Sequence, residues 1–218
     1  WPVGQLSGCS RARINMKRPG SECPDVVITA GGTKEKIDDV RYVSNFATGE
    51  LGHTLAETYA GLGYHVLLLA AGAVTDRFGR LSGVEHCEFT SATDLRSKLL
   101  GINAASLVFQ SAAISDYTPV SSEGKISSDQ DELVIHMRRA PKILPQLRQH
   151  FGPDTTLVGF KLLSGASETT LLSIAQAQIE QCSTDYCIAN DLSNIGVRRQ
   201  MHIVEPDGTY QSFNASVP

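Results

Sequence analysis

The amino-acid sequence predicts a doubly wound α/β domain with a mostly parallel sheet and a projecting antiparallel arm. Short runs of β-branched and apolar residues alternate along the chain with segments of helical periodicity. Strands that alternate with helices become parallel through right-handed crossovers. Several runs end in glycine or small polar residues, as strands do before a tight turn. The length of 218 residues suits one well-cored domain of this class.

The first half of the chain contains three predicted strands and two predicted helices. The strands are expected at residues 25–32, 64–73 and 105–115, and the helices at 51–63 and 90–103. Leu51, Leu55 and Tyr59 lie on one face of the first helix. Thr90 or Ser91 is the expected N-cap of the second.

The pattern changes between residues 117 and 138, which form the predicted arm. Turn residues there precede the alternating run "ELVIHM" at 132–137, which predicts an antiparallel hairpin. The α/β order then resumes, with further helices and strands expected at 142–150, 155–163, 167–181 and 184–191. Asp207 and Gly208 lie between two short apolar runs and are typical of a hairpin turn. Residues 25–218 are therefore expected to form one domain that carries the arm.

Charge and composition exclude several classes of protein. The formal net charge of -4 argues against nucleic-acid binding, because a surface that follows phosphates usually carries a basic excess. No apolar run approaches the roughly 20 residues of a membrane-spanning helix. The five cysteines are odd in number and contain no CxxC pair, so neither a disulfide framework nor a zinc ribbon is expected. Unpaired thiols favour a cytoplasmic protein.

Residues 1–24 form a separate segment. They are rich in Gly, Pro and Ser, and no apolar stretch among them is flanked by basic residues. We interpret them as an irregular, poorly ordered leader and not as a secretory signal. The internal Met16 is compatible with an artificial origin.

Small and polar residues follow several predicted strands, at the edge where ligands of open parallel sheets bind. Residues 31–33 (Gly-Gly-Thr) either let a ligand approach the backbone or make a plain turn. They fit neither GxGxxG nor a Walker loop. The second strand ends at residues 70–72 (Ala-Ala-Gly), without the acidic residue that binds a ribose hydroxyl. These features disfavour a dinucleotide.

The segment "RYVSNFATGELG" at residues 41–52 precedes the first predicted helix. Asn45 offers an amide donor and an amide acceptor. Thr48 and the backbone amides around Gly49 can face an anion at the positive end of that helix. A capped helix with an unusually polar turn explains the same residues, so both interpretations stay open here.

Three further stretches have both a functional and a structural interpretation. In "SAAISDYTP" (111–119), small residues can lie under a flat base, and Asp116 can hold a Mg²⁺ beside phosphates or cap a loop. Lys125 in "EGKISS" can close over a triphosphate or be a solvated surface lysine. The basic residues of "MRRAPKI" (137–143) fit a solvated face better than a site.

In chain order, six segments resemble the phosphopantothenate–cysteine ligase family in its stand-alone bacterial form. They are "ITAGGTKEKIDDVRYVSNFATGELG", "SAAISDYTP", "GKISS", "APKI", "VGFKLL" and "IAND". The first segment is long and distinctive. "DYTP", "KISS" and "GFKLL" favour the form that is not fused to a flavin-dependent decarboxylase. The resemblance implies a Rossmann-like fold and a homodimer in which the arm reaches the partner subunit.

The resemblance also implies a ligase of coenzyme A biosynthesis. The carboxylate of 4′-phosphopantothenate would attack the α-phosphate of CTP, giving an acyl-cytidylate and pyrophosphate. The amine of L-cysteine would then attack this mixed anhydride and release CMP. Mg²⁺ is the implied cofactor. The bacterial character of the motifs favours CTP over ATP, although no base-reading side chain is identifiable in the sequence.

Site residues follow from the same resemblance. Asn45 would hold the acyl intermediate, and Lys125 would close on the triphosphate. The implied nucleotide contacts are Gln110, Ser111, Ala112, Asp116, Lys125, Pro141, Lys142, Ile143, Leu144 and Phe160. The implied substrate contacts are Gly31, Gly32, Thr33, Arg41, Asn45, Thr48, Gly49, Gly52 and Ala113. Asp116 would also contact Mg²⁺.

The sequence departs from the family's pattern in three places. Glu50 stands where relatives often have a basic residue. The region before "IAND" carries Gln178, Gln181 and Cys182 where relatives place lysines for the nucleotide phosphates, which makes Lys161 a candidate substitute. The chain also ends soon after Phe213, without the helix expected there, and a truncation would explain this.

Two rival functions stay open at this point. An NADP-dependent Rossmann oxidoreductase would share the fold, although the glycine fingerprint and the ribose-binding acid are missing. A catalytically silent, nucleotide-binding relative would account for the missing lysines and for Glu50.

Overall fold

The structure, a computed structural model, describes residues 23–129, 131–194 and 199–215. Most of the predicted leader, residues 1–22, lies outside this range. The first half of the chain contains β1 (Val26–Ala30), β2 (Lys34–Lys36), β3 (Tyr42–Ser44), α1 (Glu50–Gly61), β4 (Val66–Ala71), α2 (Gly72–Phe78), β5 (Val84–Phe89), α3 (Ala92–Leu100) and β6 (Leu107–Gln110). The second half contains β7 (Tyr117–Pro119), β8 (Met137–Arg139), α4 (Leu144–Phe151), β9 (Thr156–Leu163), α5 (Glu168–Cys182), β10 (Tyr186–Asp191), a short 3-10 helix (Leu192–Asn194), β11 (Arg199–Val204) and β12 (Tyr210–Ala215).

Eight of these strands form one sheet in the order β12-β11-β10-β9-β6-β1-β4-β5. The six strands from β10 to β5 are parallel, whereas β11 and β12 are antiparallel additions. This arrangement confirms the predicted fold class. The hairpin predicted at Asp207 and Gly208 joins β11 to β12, and Gly208 has a φ of 84°.

The order of the strands reverses between β1 and β6. From β1 the chain moves outward to β4 and β5, and it then returns to the opposite side of β1 to form β6. The connections on the two sides of this point leave in opposite directions, so a crevice opens at the carboxyl ends of the strands. Fold topology alone therefore predicts a ligand site beside the ends of β1 and β6.

The centre of the sheet is covered on both faces. All five residues of β1 and all six of β4 are buried. Leu95 and Leu99 of α3 and Leu147 of α4 are fully buried against the same core. Because helices cover both faces, the central strands show continuous apolar runs and not alternation. Within the described residues, no helix combines the length and apolar character needed to cross a bilayer.

Some elements were not predicted. The second predicted strand, β4, ends at Ala71. Residues 72–78 form α2, whereas the apolar run predicted that the strand continues to residue 73. The edge strand β5 has the sequence "VEHCEF" and is only partly buried, so it lacks the apolar run that revealed the central strands. The two-stranded ribbon of β2 and β3 is short and polar, and it was missed for the same reason.

The arm differs from its prediction. Among the residues of the arm that the structure describes, only β7 and β8, three residues each, form an antiparallel pair, with Thr118 opposite Arg138. Of the run "ELVIHM", only Met137 lies in a strand. Leu133 and Val134 are exposed, and an alternating run becomes a strand only where another strand pairs with it.

The start of α1 packs unusually close to the sheet. A Cβ at Gly52 would lie 2.6 Å from the Cβ of Ala30 and 3.1 Å from the carbonyl oxygen of Thr29. Gly49 precedes the helix with a φ of 74°, and a Cβ there would lie 2.4 Å from Cγ2 of Val74. Packing therefore requires both glycines of the 41–52 segment, and this requirement does not depend on a ligand.

We predict that Gly52→Ala lowers the free energy of unfolding by about 1–3 kcal/mol, because the added methyl group overpacks the contact between α1 and β1. Gly61→Ala in the same helix is the matched control, since a Cβ at Gly61 meets nothing within 4 Å. Alanine favours helix over glycine, so this control is expected to be neutral or stabilising in urea unfolding. Equal effects of the two substitutions would refute the packing argument.

Candidate active site

Two cavities lie at the carboxyl ends of the central strands. One, of about 470 Å³, lies beside the end of β1 and the start of α1, and we call it the β1 cavity. The other, of about 490 Å³, lies between the ends of β6 and β9 and the helices α4 and α5, and we call it the β6–β9 cavity. Their positions match the crevice predicted from the reversal of strand order.

A dividing wall, residues 31–33 and 111–115, separates the two cavities. The amide of Ala113 donates to the carbonyl of Gly31 at 2.9 Å, and the amide of Thr33 donates to the carbonyl of Ala113 at 3.1 Å. The hydroxyl of Thr33 accepts a hydrogen bond from the amide of Ser115 at 3.1 Å. Gly32 lines the β1 cavity on one side, whereas Ser115 lines the β6–β9 cavity on the other. The segments after β1 and β6 thus continue their pairing past the sheet.

Asn45 links the two cavities. It lines the β1 cavity, and its side-chain Nδ2 donates at 3.3 Å to the carbonyl of Ile114, which lines the β6–β9 cavity. The side chain is exposed, so its amide is accessible to a group that bridges the wall.

The β1 cavity is suited to an anion. Lys34 and Arg77 line it, and among the described residues that line it none is acidic. Lys34 Nζ lies 4.9 Å from the centre of the Tyr42 ring in a cation–π contact. No carboxylate lines the cavity beside this ammonium group among the described residues. Thr48 lines the cavity just before α1, so the positive end of this helix lies near the cavity, although its first turn carries the acidic Glu50.

Sequence reasoning missed both cations of the β1 cavity. Lys34 lies inside the longest matching segment. A charged residue after a strand is usually solvated, so the sequence alone does not mark Lys34 as a site residue. Arg77 lies on α2, an element that the sequence did not predict. A correct assignment of α2 would have brought Arg77 to the edge where ligands bind.

The lining of the β6–β9 cavity includes a buried amide, which we call the floor, and exposed charged side chains, which we call the rim. Every predicted nucleotide contact except Ser111 and Lys125 lines it. Gln110 at the floor is 6% exposed, whereas the side chain of Lys142 at the rim is 62% exposed. Small and apolar groups, including Ala112 and Phe160, line the same cavity.

The rim of this cavity carries both signs of charge. Lys142 forms an ion pair with Asp116, and Lys161 also lines the cavity. Gln178 and Gln181 lie where relatives were expected to have lysines. Lys161 lines the same cavity as these two glutamines, so its role as a substitute cation stays a prediction.

Several predicted substrate contacts, and the predicted nucleotide contact Ser111, have structural roles. Gly31 has a φ of 90°, and a Cβ there would lie 2.7 Å from Val74 Cγ2. The side chain of Ser111 donates to the carbonyl of Thr29, which ties β6 to β1. Thr33 and Ala113 belong to the dividing wall. Their roles as ligand contacts stay predictions.

Comparison with known proteins identifies the family of the chain. Residues 22–216 match the family described as the C-terminal domain of DNA/pantothenate metabolism flavoproteins. The chain belongs to this family. Two similar relatives are both named coenzyme A biosynthesis bifunctional protein CoaBC. The protein from Methanocaldococcus jannaschii is 33% identical over 180 residues, which cover 82% of this chain and 42% of the relative. The protein from Bacillus subtilis is 32% identical over 174 residues, with coverages of 78% and 41%.

A solved structure shows the same fold. The DNA/pantothenate metabolism flavoprotein from Streptococcus pneumoniae is 28% identical, superposes with a TM-score of 0.77, and matches 88% of this chain and 93% of that one. The chain spans less than half the length of the two CoaBC relatives. The resemblance inferred from the six sequence segments is thus confirmed at the level of the family.

A cluster that we call the Asp38 clamp holds the loop that carries Lys125. The amide of Gly124 donates to Asp39 Oδ2 at 3.0 Å, and the amide of Ile126 donates to Asp38 Oδ2 at 3.1 Å. Arg41 donates through Nη2 to the carbonyl of Ile126 at 2.7 Å. Lys125 is exposed and lines neither cavity. Both neighbours of the lysine are thus anchored while its side chain projects outward.

The electrostatics of the clamp centre on Asp38, whose side chain is fully buried. Burial alone would raise the pKa of this carboxyl, but hydrogen bonds from Arg41 and from the amides of Val40 and Ile126 hold the pKa well below its ordinary value. A lowered pKa contributes stability above the unfolded value near 3.9, and this contribution is lost as pH falls through the folded pKa. The clamp therefore stays charged at neutral pH. Arg41, a predicted substrate contact, forms a 2.6 Å ion pair with Asp38.

Metal and thiol chemistry have little support from side-chain clusters. Within the described ranges, no group of three or more His, Cys, Asp or Glu residues could hold a metal ion. Asp116 offers a single carboxylate, which fits Mg²⁺ only where phosphates and water supply the other ligands.

Burial raises the pKa of the Cys182 thiol, and it raises the pKa of the Cys187 thiol to about 12. Both thiols stay protonated and are poor nucleophiles.

We predict that Asp38→Asn loosens the Lys125 loop, because the substitution removes the charge that holds Arg41 and the amide of Ile126. Hydrogen–deuterium exchange in the peptide covering residues 122–126 should become at least about tenfold faster. Asp154→Asn, in an exposed turn, is the control and should leave this exchange unchanged. Unaltered exchange in the Asp38 variant would show that the clamp does not hold the loop.

Proposed function

We propose that the chain is a ligase that joins 4′-phosphopantothenate to L-cysteine through an acyl-cytidylate, using CTP and Mg²⁺. The observation that carries this proposal is the pair of cavities with Asn45 reaching across the wall between them. Such a site suits a reaction in which a carboxylate in one cavity attacks a phosphate that belongs to a ligand in the other. The CoaBC relatives are named as coenzyme A biosynthesis proteins, which supports the same pathway for this chain.

The β1 cavity would bind 4′-phosphopantothenate. Lys34 and Arg77 offer positive charge for its phosphate, and the amides at the start of α1 add the positive end of a helix. The carboxylate at the other end of the substrate would then lie toward Asn45 and the dividing wall. This orientation separates the negatively charged ends of the substrate and brings only its carboxylate to the nucleotide.

The β6–β9 cavity would bind CTP. Phe160 and Ala112 provide apolar and small surfaces for a base, while Lys142 and Lys161 lie at the rim where a triphosphate would need cations. Bound Mg²⁺ would neutralise phosphate charge, and Asp116 is the residue that would contact it. Lys142 would then exchange its ion pair with Asp116 for a contact with phosphate.

The chemistry needs positioning and charge neutralisation more than a strong base. In the first step, a carboxylate oxygen bonds to the α-phosphorus of CTP while the bond to pyrophosphate breaks. Lys125 would close over the phosphates and offset the charge that develops on the leaving group. In the second step, the cysteine amine attacks the acyl carbon, loses a proton and displaces CMP. The side-chain amide of Asn45 would orient the acyl carbonyl for this attack.

The arm supports a proposal about assembly. The exposed apolar side chains Tyr117, Val120, Leu133, Val134, Ile135 and Met137 all lie on it or at its base. Their proximity in one projecting segment suits burial against another protein surface. We propose that a second copy of this chain covers them in a homodimer. We also propose that the chain acts in the reducing cytoplasm, which would supply free L-cysteine.

Pyrophosphate release tests the proposed function directly. The chain is incubated with 4′-phosphopantothenate and Mg²⁺, with CTP or ATP, and with or without cysteine. We expect release with CTP before cysteine is added, and formation of the amide product only after its addition. Preference for ATP would keep the reaction and change the nucleotide. Binding of CTP without release would favour a silent relative, and a change in nicotinamide absorbance with NADP would favour an oxidoreductase.

We predict that Asn45→Asp lets the acyl-cytidylate accumulate but blocks the amide product, because the amide donor that orients the acyl carbonyl is replaced by a carboxylate. Mass spectrometry separates the intermediate from the product. Asn103→Asp is the control, since Asn103 is exposed in the loop before β6. Normal product formation by the Asn45 variant would exclude this role.

We predict that Lys125→Ala slows pyrophosphate release about a hundredfold or more, because the leaving group loses a cation that acts in the transition state. Arg80→Ala removes an exposed cation outside both cavities and should have little effect. Stopped-flow detection of pyrophosphate gives the rate of the first step. An unchanged rate in the Lys125 variant would refute the role of this lysine in the first step.

A further inference from the structure

The floor of the β6–β9 cavity contains a buried amide without a partner. Gln110 is the last residue of β6 and is 6% exposed. Its Nε2 and Oε1 atoms are both buried, and neither has a hydrogen-bond partner among the residues that the structure describes. Gln110 lines the cavity through its other atoms, so its side chain must turn toward the cavity before a ligand there can reach the amide. Buried polar groups in proteins are nearly always hydrogen-bonded, so a doubly unpaired amide beside a cavity indicates that something else bonds to it.

Neighbouring groups keep the amide of Gln110 unpaired. Gln110 lies opposite Gly159 in the parallel pairing of β6 with β9. Gly159 has no side chain, and the amide of Gln178 occupies the space above it, since a Cβ there would lie 2.7 Å from Gln178 Nε2. Gln178 Nε2 donates at 3.4 Å to the carbonyl of Phe160 and not to Gln110. The two amides thus lie over the same pair of strands without satisfying each other.

A primary amide presents one donor and one acceptor in a plane. The pairing edge of an amino-bearing nucleobase presents the complementary pattern, an exocyclic amino group beside a ring nitrogen. Cytosine offers N4 and N3, and adenine offers N6 and N1. Asparagine and glutamine side chains bind the amino group and a ring nitrogen of adenine, N6 and N7, with two hydrogen bonds, and the pairing edges present the same two groups.

The position of Gln110 fits this role in the proposed nucleotide site. It lies at the buried floor, whereas Lys142, at the other extreme, lies at the exposed rim. A nucleotide bound along this axis places its neutral base inside and its triphosphate at the surface. Phe160, which lines the same cavity, can stack on the base.

We propose that Gln110 reads the base of the bound nucleotide, accepting a hydrogen bond from the amino group through Oε1 and donating one to the ring nitrogen through Nε2. This inference rests on the proposed function, because it assumes that the β6–β9 cavity binds a nucleoside triphosphate. It supplies a base-reading side chain, which the sequence alone did not identify.

The test is equilibrium binding of nucleotides to the intact chain. CTP is compared with its 4-deamino analogue, and ATP with its 6-deamino analogue, for the original protein and for Gln110→Met. The original protein should bind its preferred nucleotide about tenfold to a hundredfold more tightly than the analogue without the amino group. Gln110→Met should bind that nucleotide more weakly by a similar factor, and it should no longer distinguish the nucleotide from its analogue.

Gln176→Met provides a matched control. Oε1 of Gln176 is also buried without a partner among the described residues, but Gln176 does not line the β6–β9 cavity. This variant should bind nucleotides like the original protein. If Gln110→Met does not fold, Gln110→Glu keeps the acceptor and loses the donor, and it should lower the affinity for the preferred nucleotide.

The outcomes separate this inference from the proposed function. Equal binding of the nucleotide and its deamino analogue by the original protein, with pyrophosphate release intact, would overturn the role of Gln110 alone. So would unchanged affinity in Gln110→Met together with a raised melting temperature, since a purely structural unpaired amide is relieved by an apolar side chain. An original protein that neither binds CTP or ATP nor releases pyrophosphate would overturn both.

Discussion

The backbone pairing that continues past the ends of β1 and β6 is the feature on which the site depends. Hydrogen bonds joining Gly31 and Thr33 to Ala113 hold a thin wall between two cavities. Because these bonds are made by the backbone, the side chains on either side can serve different ligands. The close packing of α1 at Gly52 brings the start of the helix to the same wall. A larger residue there would move the helix and the polar turn that contains Asn45.

The two cavities differ in the charged groups that line them. The β1 cavity combines Lys34 and Arg77 with a helix N-terminus, whereas the β6–β9 cavity has an amide floor and charges of both signs at its rim. Two anions must meet in the proposed first step, and their repulsion is reduced when each is held by its own cations. Lys125 would add charge only on closure, and the Asp38 clamp fixes the loop from which it would act.

The sequence predicted the parallel core and the turns at the ends of its strands, because both depend on patterns of neighbouring residues. Continuous apolar runs revealed β1, β4 and β6, and glycines revealed the turns that follow. Arg77 could not be found, since α2 follows a strand without a break in the apolar pattern. The buried roles of Thr33 and Arg41 depend on partners in distant segments, which no local pattern contains. The unpaired state of Gln110 is likewise a property of the packed structure alone.

A crystal structure of the chain with 4′-phosphopantothenate and a non-hydrolysable CTP analogue tests the central claim most directly. We expect the phosphate of 4′-phosphopantothenate beside Lys34 and Arg77, and its carboxylate at the wall near Asn45. The base of the nucleotide should lie against Gln110, with its triphosphate at the rim near Lys142 and Lys161. Binding of both ligands on one side of the wall, or of the nucleotide in the β1 cavity, would contradict the account.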